Sequence, residues 1–210
     1  MKTSCVIWDY NGTLLNDVAA CFFCVNTLLV RHGHAPFPDL GAYRRTFGFP
    51  IRDYYRKAGF DFSVTPYDAL AVEFMAMYDA AEPDIPLSDG VVETLAEIRA
   101  RGIRQIVLSA AKESDLRKQI EKRGIGGYFD EILGISDIYA ASKLHIARDW
   151  LRTTPHPPAS MLLIGDTLHD AETAHELGCR CVLFRGGHQA LGDYDGAVID
   201  RIENFLDFLK

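Results

Sequence analysis

The chain has 210 residues, 48% of them apolar and 24% charged, and a formal net charge of −7. This length allows one large domain, or a core of about 140 residues with a smaller partner. The negative balance argues against nucleic acid or an anionic membrane as a partner. The opening MKTSCVIWDY has an apolar run that Asp9 breaks after a few residues. That is too short for a signal peptide or a membrane span, so the expected compartment is the cytoplasm.

The first expected element is a strand from Ser4 to Trp8, ending in the turn Asp9-Tyr10-Asn11-Gly12-Thr13. A helix follows from about Asp17, with Val18, Phe22, Val25, Leu28 and Leu29 on one face, and His32-Gly33 stops it. Cys21 and Cys24 lie within it, with two residues between them. No second cysteine pair or nearby histidine completes a zinc set, so both read as reduced, buried side chains. A short helical piece spans Leu40 to Phe47. Ile51 to Ala58 and Pro66 to Ala80 read as further helices, the second with proline in its first turn. No strand is expected between Asn16 and about Leu87, which marks an all-helical insertion.

At Ser88 the pattern changes. Val91, Val92, Leu95 and Ile98 give a helix face, Gly102 stops it, and Ile103 to Leu108 reads as a strand. A polar helix over Glu113 to Lys122 and a short strand over Phe129 to Leu133 follow. Ser142 can cap a helix to Trp150, and Ala159 to Ile164 is an apolar run entering Gly165-Asp166. Beyond it come a helix over Asp170 to Leu177, strands over Cys181 to Phe184 and Ala197 to Ile199, and a last helix over Ile202 to Leu209. Apolar strands alternating with helices predict an α/β fold with a mainly parallel sheet covered on both faces. The expected organisation is a core of residues 1–15 and 88–210 with a helical cap at 16–87. Ligands in such folds bind at the carboxyl ends of the strands. Asp9, Ser109 and Asp166 all fall at or just past such an end.

These residues carry a resemblance. Asp9-Tyr10-Asn11-Gly12-Thr13-Leu14, Ser109 after Ile106-Val107-Leu108, Lys143 in Ala141-Ser142-Lys143-Leu144-His145, and Gly165-Asp166-Thr167-Leu168-His169-Asp170 match four ordered motifs. Together they resemble the haloacid dehalogenase-like hydrolases, in the branch with a helical cap after the first motif. The stretch from Tyr43-Arg44-Arg45 through Gly48-Phe49-Pro50 to Tyr54-Tyr55 looks like the cap of phosphoglycolate phosphatase-like members. The resemblance implies a Rossmann-like sheet with Asp9 as nucleophile, forming an aspartyl-phosphate. It implies Mg²⁺ held by Asp9, the Asn11 carbonyl and Asp166, with Asp170 orienting a metal-bound water or Lys143. Clustered carboxylates need a cation to offset their repulsion, and a hard, oxygen-ligated ion suits them. Ser109 and the backbone around Gly12 and Ala110 can donate to phosphate oxygens, while Lys143 supplies positive charge. Thr13 is expected to satisfy a backbone group.

Asn11 departs from the pattern. Most phosphatases of this family place an aspartate there, which protonates the leaving oxygen and then activates water. A carboxamide does neither near neutral pH. The dehalogenase branch has tyrosine at that position by resemblance, and phosphonate hydrolases have alanine with a Schiff-base lysine in the cap; Lys57 is the only cap lysine. Arg44, Arg45, Arg52, Arg56 and Lys57 form a basic run against Asp53 alone, and Arg44 and Arg45 are candidates for binding an anionic substrate. His32, His34 and His188 lie in expected loops that can approach the site. The expected function is therefore Mg²⁺-dependent hydrolysis of a small anionic phosphate monoester through an aspartyl-phosphate, in the manner of phosphoglycolate phosphatase. The expected state is a monomer or homodimer. Two alternatives stay open: a dehalogenase or phosphonate hydrolase using Asp9, and a weakly active or inactive phospho-ligand-binding protein.

Overall fold

The computed structural model describes residues 2–140 and 142–209; Ala141 of the third motif lies outside the described residues, as do Met1 and Lys210. Six strands form one parallel sheet: β1 (Cys5–Trp8), β2 (Arg104–Lys112), β3 (Glu131–Ile135), β4 (Met161–Gly165), β5 (Arg180–Phe184) and β6 (Ala197–Ile199). Their order is β3-β2-β1-β4-β5-β6. Every residue of β1 and β4 is buried, as expected of central strands covered on both faces, and their sequences are accordingly apolar throughout. Alternation along β1 still divides the core. Cys5 and Ile7 pack with Ile106, Leu163 and Leu177 on one face, while Val6 and Trp8 pack with Val107, Ile164 and Phe205 on the other.

Four helices form the cap between β1 and the rest of the core: α1 (Val18–Arg31), α2 (Leu40–Thr46), α3 (Ile51–Ala58) and α4 (Tyr67–Ala81). Val25, Leu28, Leu29, Tyr43, Tyr54, Tyr55 and Leu70 give it an apolar cluster of its own. The chain enters and leaves it through one neck, where Ser88 N donates to Leu14 O at 2.9 Å and Asn16 N to Pro86 O at 3.0 Å. The core helices are α5 (Val91–Ala100), α6 (Glu113–Lys122), α7 (Leu144–Leu151) and α8 (Leu168–Leu177). Among the described residues no helix is long and apolar enough to cross a membrane.

β3 starts two residues later than expected, at Glu131, and two elements differ more from the sequence expectation. β2 continues four residues past Leu108, through Ser109-Ala110-Ala111-Lys112, with a register irregularity against β3. These residues have weak intrinsic strand preference, and of the four only Lys112 is paired with β3, opposite Ile135. The last segment, Ile202–Phe208, is a 3₁₀ helix rather than an α-helix. Its three-residue period puts Ile202 and Phe205 on one buried face, with Phe205 5.4 Å from the Trp8 ring.

Candidate active site

The strand order reverses direction between β1 and β4, which is where parallel α/β sheets open a crevice at their carboxyl ends. Asp9 follows β1 and Asp166 follows β4, so the topology alone sets two carboxylates side by side. Asp9 N still donates to Ile164 O at 2.9 Å, which fixes the first loop against β4. Asp170 comes from the first turn of α8. Its Oδ2 accepts from the backbone N–H of Asp166 at 3.2 Å and of Thr167 at 3.0 Å, and from the Thr167 hydroxyl at 2.6 Å. It therefore caps its helix while its Oδ1 pairs with Lys143.

Lys143, just before α7, is buried; its Nζ donates to Asp9 and to Leu108 O, the latter at 3.1 Å. One lysine thus ties together β1, β2 and α8. Oxygens of Asp9, Asp166 and Asp170 lie within 4.8 Å of one another. With all three ionised, Lys143 leaves two negative charges uncompensated, the charge that a divalent cation supplies. The all-oxygen donor set suits a hard ion. Burial pushes the Asp9 carboxyl well up, reinforced by Asp170 and Asp166 and opposed by Lys143. Burial also raises Asp166 to about 7, with Asp170 and Asp17 adding to it and His188 opposing. Burial would raise Asp170 too, but Lys143 and the Thr167 donors hold it below the usual carboxylate range.

Ser109 is buried at the extended end of β2, its Oγ accepting from Ala111 N at 3.1 Å. Ser109, Ala110, Asp9, Asn11, Lys143, Asp166 and Asp170 all line one cavity beneath the cap. Gly12 has φ +74°, and any Cβ there would collide with Asp166 and His188. Thr13 is expected from the sequence to satisfy a backbone group, but its hydroxyl instead donates to Asp166 Oδ1 at 3.3 Å.

Two residues that sequence reasoning missed, Asp17 and Tyr78, join Asn11 in a network that includes His188, one of the loop histidines expected to approach the site. Asn11 Nδ2 donates to Asp17 Oδ2 at 2.8 Å and to the Tyr78 hydroxyl at 2.9 Å, and Tyr78 itself donates to Asp17 Oδ2. Asp17 Oδ1 accepts from Gly12 N at 2.8 Å and from His188 Nε2 at 2.9 Å. His188 in turn shares a hydrogen bond with the Tyr43 hydroxyl, and its backbone N–H donates to Asp166. Burial would raise Asp17, but His188, Asn11 and Tyr78 outweigh it and hold the carboxyl low. The same pairing overrides burial at His188 and raises its pKa. Because Asp17 is an acceptor on every side, the residue facing it at position 11 must donate. Asparagine does; a second carboxylate would not. Asp17 precedes α1, yet its side chain makes no capping hydrogen bond there, and no pattern in the sequence marks it as the partner of Asn11.

The cap places its charges elsewhere. Arg44 lies outside the cavity: its Nε donates to Gly187 O at 2.8 Å and its Nη2 to Gly186 O at 2.7 Å. Arg45 and Lys57 are exposed and outside the cavity. Arg52 stands over Phe62 and Tyr67, and Arg56 pairs with Asp53. Among the described residues, none of the six lysine and arginine side chains of the cap, Arg31 included, lines the cavity. Aromatic stacking joins cap and core instead, with Phe47 on His188 at 5.0 Å and Phe49 on His169 at 4.9 Å. His32 pairs with Glu73 and His34 packs on Phe60, neither in the cavity. All five cysteines are free. Cys21 lines the cavity, but burial and then Asp17 raise its thiol pKa, which disfavours the thiolate.

Residues 6–184 match the family described as haloacid dehalogenase-like hydrolase. The chain is similar to a probable phosphatase, IndB, of Dickeya dadantii (strain 3937), 28% identical over 84% of this chain and 79% of that protein. It is 27% identical to a phosphoglycolate phosphatase of Rhodobacter capsulatus over 88% of this chain and 85% of the relative. Among solved structures it resembles the Mycobacterium tuberculosis protein tyrosine kinase A, with a TM-score of 0.80 and 25% identity across 99% of this chain and 98% of that one. The parallel sheet, its inserted helical cap, the four ordered motifs and this family match lead to one assignment: the chain belongs to the haloacid dehalogenase-like hydrolases.

Proposed function

We propose that the chain is a Mg²⁺-dependent phosphomonoester hydrolase that works through an aspartyl-phosphate on Asp9, with residues 16–87 as a cap over a core of 1–15 and 88–210. The observation that carries this reading is the convergence of Asp9, Asp166, Asp170 and Lys143 at the end of β1 and β4, buried beneath a cap cavity. Asp9 and Asp166, with the Asn11 carbonyl, are the residues that would hold Mg²⁺. The ion would neutralise the carboxylates and the charge on the phosphoryl oxygens. Asp9 attacks phosphorus and Lys143 offsets charge on the phosphoryl oxygens, while Ser109 and the backbone beside it and Gly12 orient the group. Asp170 acts through Lys143, holding its ammonium against Asp9.

Asn11 keeps its amide nitrogen on Asp17 and Tyr78 and gives no proton to the leaving oxygen. Turnover therefore favours esters whose leaving oxygen tolerates negative charge. A phosphonate hydrolase reading has little support, because the exposed Lys57 lies outside the cavity. Asp9→Asn tests the nucleophile. It should lower kcat by on the order of 10⁴ or more, with the fold retained by circular dichroism. Rapid acid quench should trap phosphate on the wild-type protein and none on the variant. Comparable turnover by purified D9N would remove Asp9 from the chemistry.

A further inference from the structure

The cavity above Asp9 encloses about 180 Å³ and runs without interruption from Ser109 and Lys143 up into the cap. Its upper wall is Val25, Tyr54, Tyr67, Ala71, Phe74 and Met75. An apolar cavity of about 150 Å³ already admits benzene, so this half-open space accommodates a compact ring system beside the phosphoryl group. The cap cations that would bind a second anionic group are turned elsewhere. Arg44 is committed to backbone carbonyls, and Arg45, Arg52, Arg56 and Lys57 lie outside the cavity. Lys112 lines the side wall at α6, where Asp115 and Gln119 line it too. Away from Lys112, Gln119 and the unpartnered Tyr54 hydroxyl, a charged leaving group would lose its hydration against aromatic and aliphatic side chains.

We infer that the ester taken by this site is an aryl phosphate monoester whose leaving group is uncharged and apolar. The inference rests on the hydrolase reading above and names the substrate class. A second, independent observation agrees with it: Asn11 donates no proton, and a phenolic oxygen leaves without one far more readily than an alkoxide. Asp9 attacks phosphorus, the bond from phosphorus to the aryl oxygen breaks, and the electron pair departs as aryloxide, which is protonated by solvent. Water then attacks phosphorus of the aspartyl-phosphate, breaking its bond to the Asp9 oxygen and releasing inorganic phosphate. Aromatic walls contribute dispersion and edge-to-face contacts to the ring.

Steady-state kinetics at saturating Mg²⁺ with 1-naphthyl phosphate, phenyl phosphate, 4-carboxyphenyl phosphate and phosphoglycolate test the class. The three aryl esters differ little in leaving-group chemistry, so their differences report recognition. KM for 1-naphthyl phosphate should lie about tenfold or more below that for 4-carboxyphenyl phosphate, the scale on which apolar pockets discriminate. Met75→Gln should raise KM for the naphthyl ester severalfold and leave kcat alone. Ala71→Leu, which shortens the chamber, should penalise naphthyl more than phenyl. An equal or lower KM for 4-carboxyphenyl phosphate or phosphoglycolate, lost on Lys112→Ala, would overturn the assignment. If no ester turns over, the hydrolase reading fails first, and calorimetry then decides the chamber by itself. Tighter binding of 1-naphthylmethylphosphonate than of phosphonoacetate supports the apolar class, and the reverse or equal order rejects it.

Discussion

At the sheet end of the cleft, Asp9, Asp166 and Asp170 are held by strand ends, backbone N–H groups and a buried lysine, whereas the cap faces them with Tyr54, Tyr67, Phe74 and Met75. The two regions fix their side chains by different physics. On the floor each carboxylate has a directional partner, and its position follows from where a strand stops. In the ceiling, aromatic rings from α2, α3 and α4 pack on one another at 5–6 Å, and no single contact sets their place. Under the proposed function the floor would specify the reaction and the ceiling the leaving group. Asn11 belongs to both, since it sits in the first motif and bonds to Tyr78 of the cap.

The strongest way to break this division is to change Asn11 together with Asp17. Asn11→Asp alone would set a second carboxylate where Asn11 Nδ2 now stands 2.8 Å from Asp17 Oδ2. The pair would repel or share one proton, so the single variant should gain little. Asn11→Asp with Asp17→Asn lets the amide donate from the other side and frees the new carboxyl for acid–base work. That help is worth about 10²–10⁴ in rate. The double variant should therefore hydrolyse an alkyl phosphate about 10²-fold faster than the wild type, with a smaller gain on an aryl ester. An N11D single variant as fast as the double would show that Asp17 places no restraint on position 11.

A smaller effect separates the charge of the floor from the neutrality of the ceiling. Asp166 is raised from the usual 3.8 to about 7, chiefly by burial and then by neighbouring carboxylates. Between those values the folded protein holds a proton that the unfolded chain has already released. The metal-free protein therefore loses stability as pH rises through this window, and the loss is largely complete above 7. Under the proposed function Mg²⁺ would bind the ionised form, so its stabilisation should grow in the same direction. At a concentration about 100 times the Kd measured at pH 8, Mg²⁺ should add about 2.7 kcal/mol at that pH and much less at pH 5.5. Equal Mg²⁺-induced shifts in Tm at both pH values would separate the ion from Asp166.

The same division explains what was legible in the sequence. Asp9, Ser109 and Asp166 each follow an apolar run, and a parallel sheet aligns such ends whatever lies between them, so their meeting could be read from periodicity and order. Asp17, Tyr78 and His188 are brought together only when α1, α4 and the loop after β5 close on one another. No local pattern records that closure. The basic run in the cap was visible, but its composition could not say which way each arginine turns. Arg44 and Arg45 are adjacent in sequence, yet one faces the loop after β5 and the other is exposed.

That pair gives the smallest and most local test. Arg44 holds the carbonyls of Gly186 and Gly187, and the neighbouring backbone reciprocates, Ala190 N donating to Arg44 O at 2.9 Å. The loop so clasped carries His188, whose backbone N–H reaches Asp166 and whose ring reaches Asp17. Gly187 is itself required there, because a Cβ would run into the Asp166 side chain. Arg44→Ala removes both carbonyl contacts of α2 and loosens the cap where it meets the floor. A loss of about 1 kcal/mol corresponds to roughly fivefold in an equilibrium, and KM should rise by about that factor as the closed cleft becomes less populated. Once substrate is bound and the cap is shut, kcat should change much less. Arg45→Ala removes an exposed side chain outside the cavity and should leave both constants unchanged. If Arg45→Ala instead raised KM for an anionic ester as much as Arg44→Ala does, the basic run would be binding substrate charge directly, and the ceiling could no longer be treated as an apolar surface.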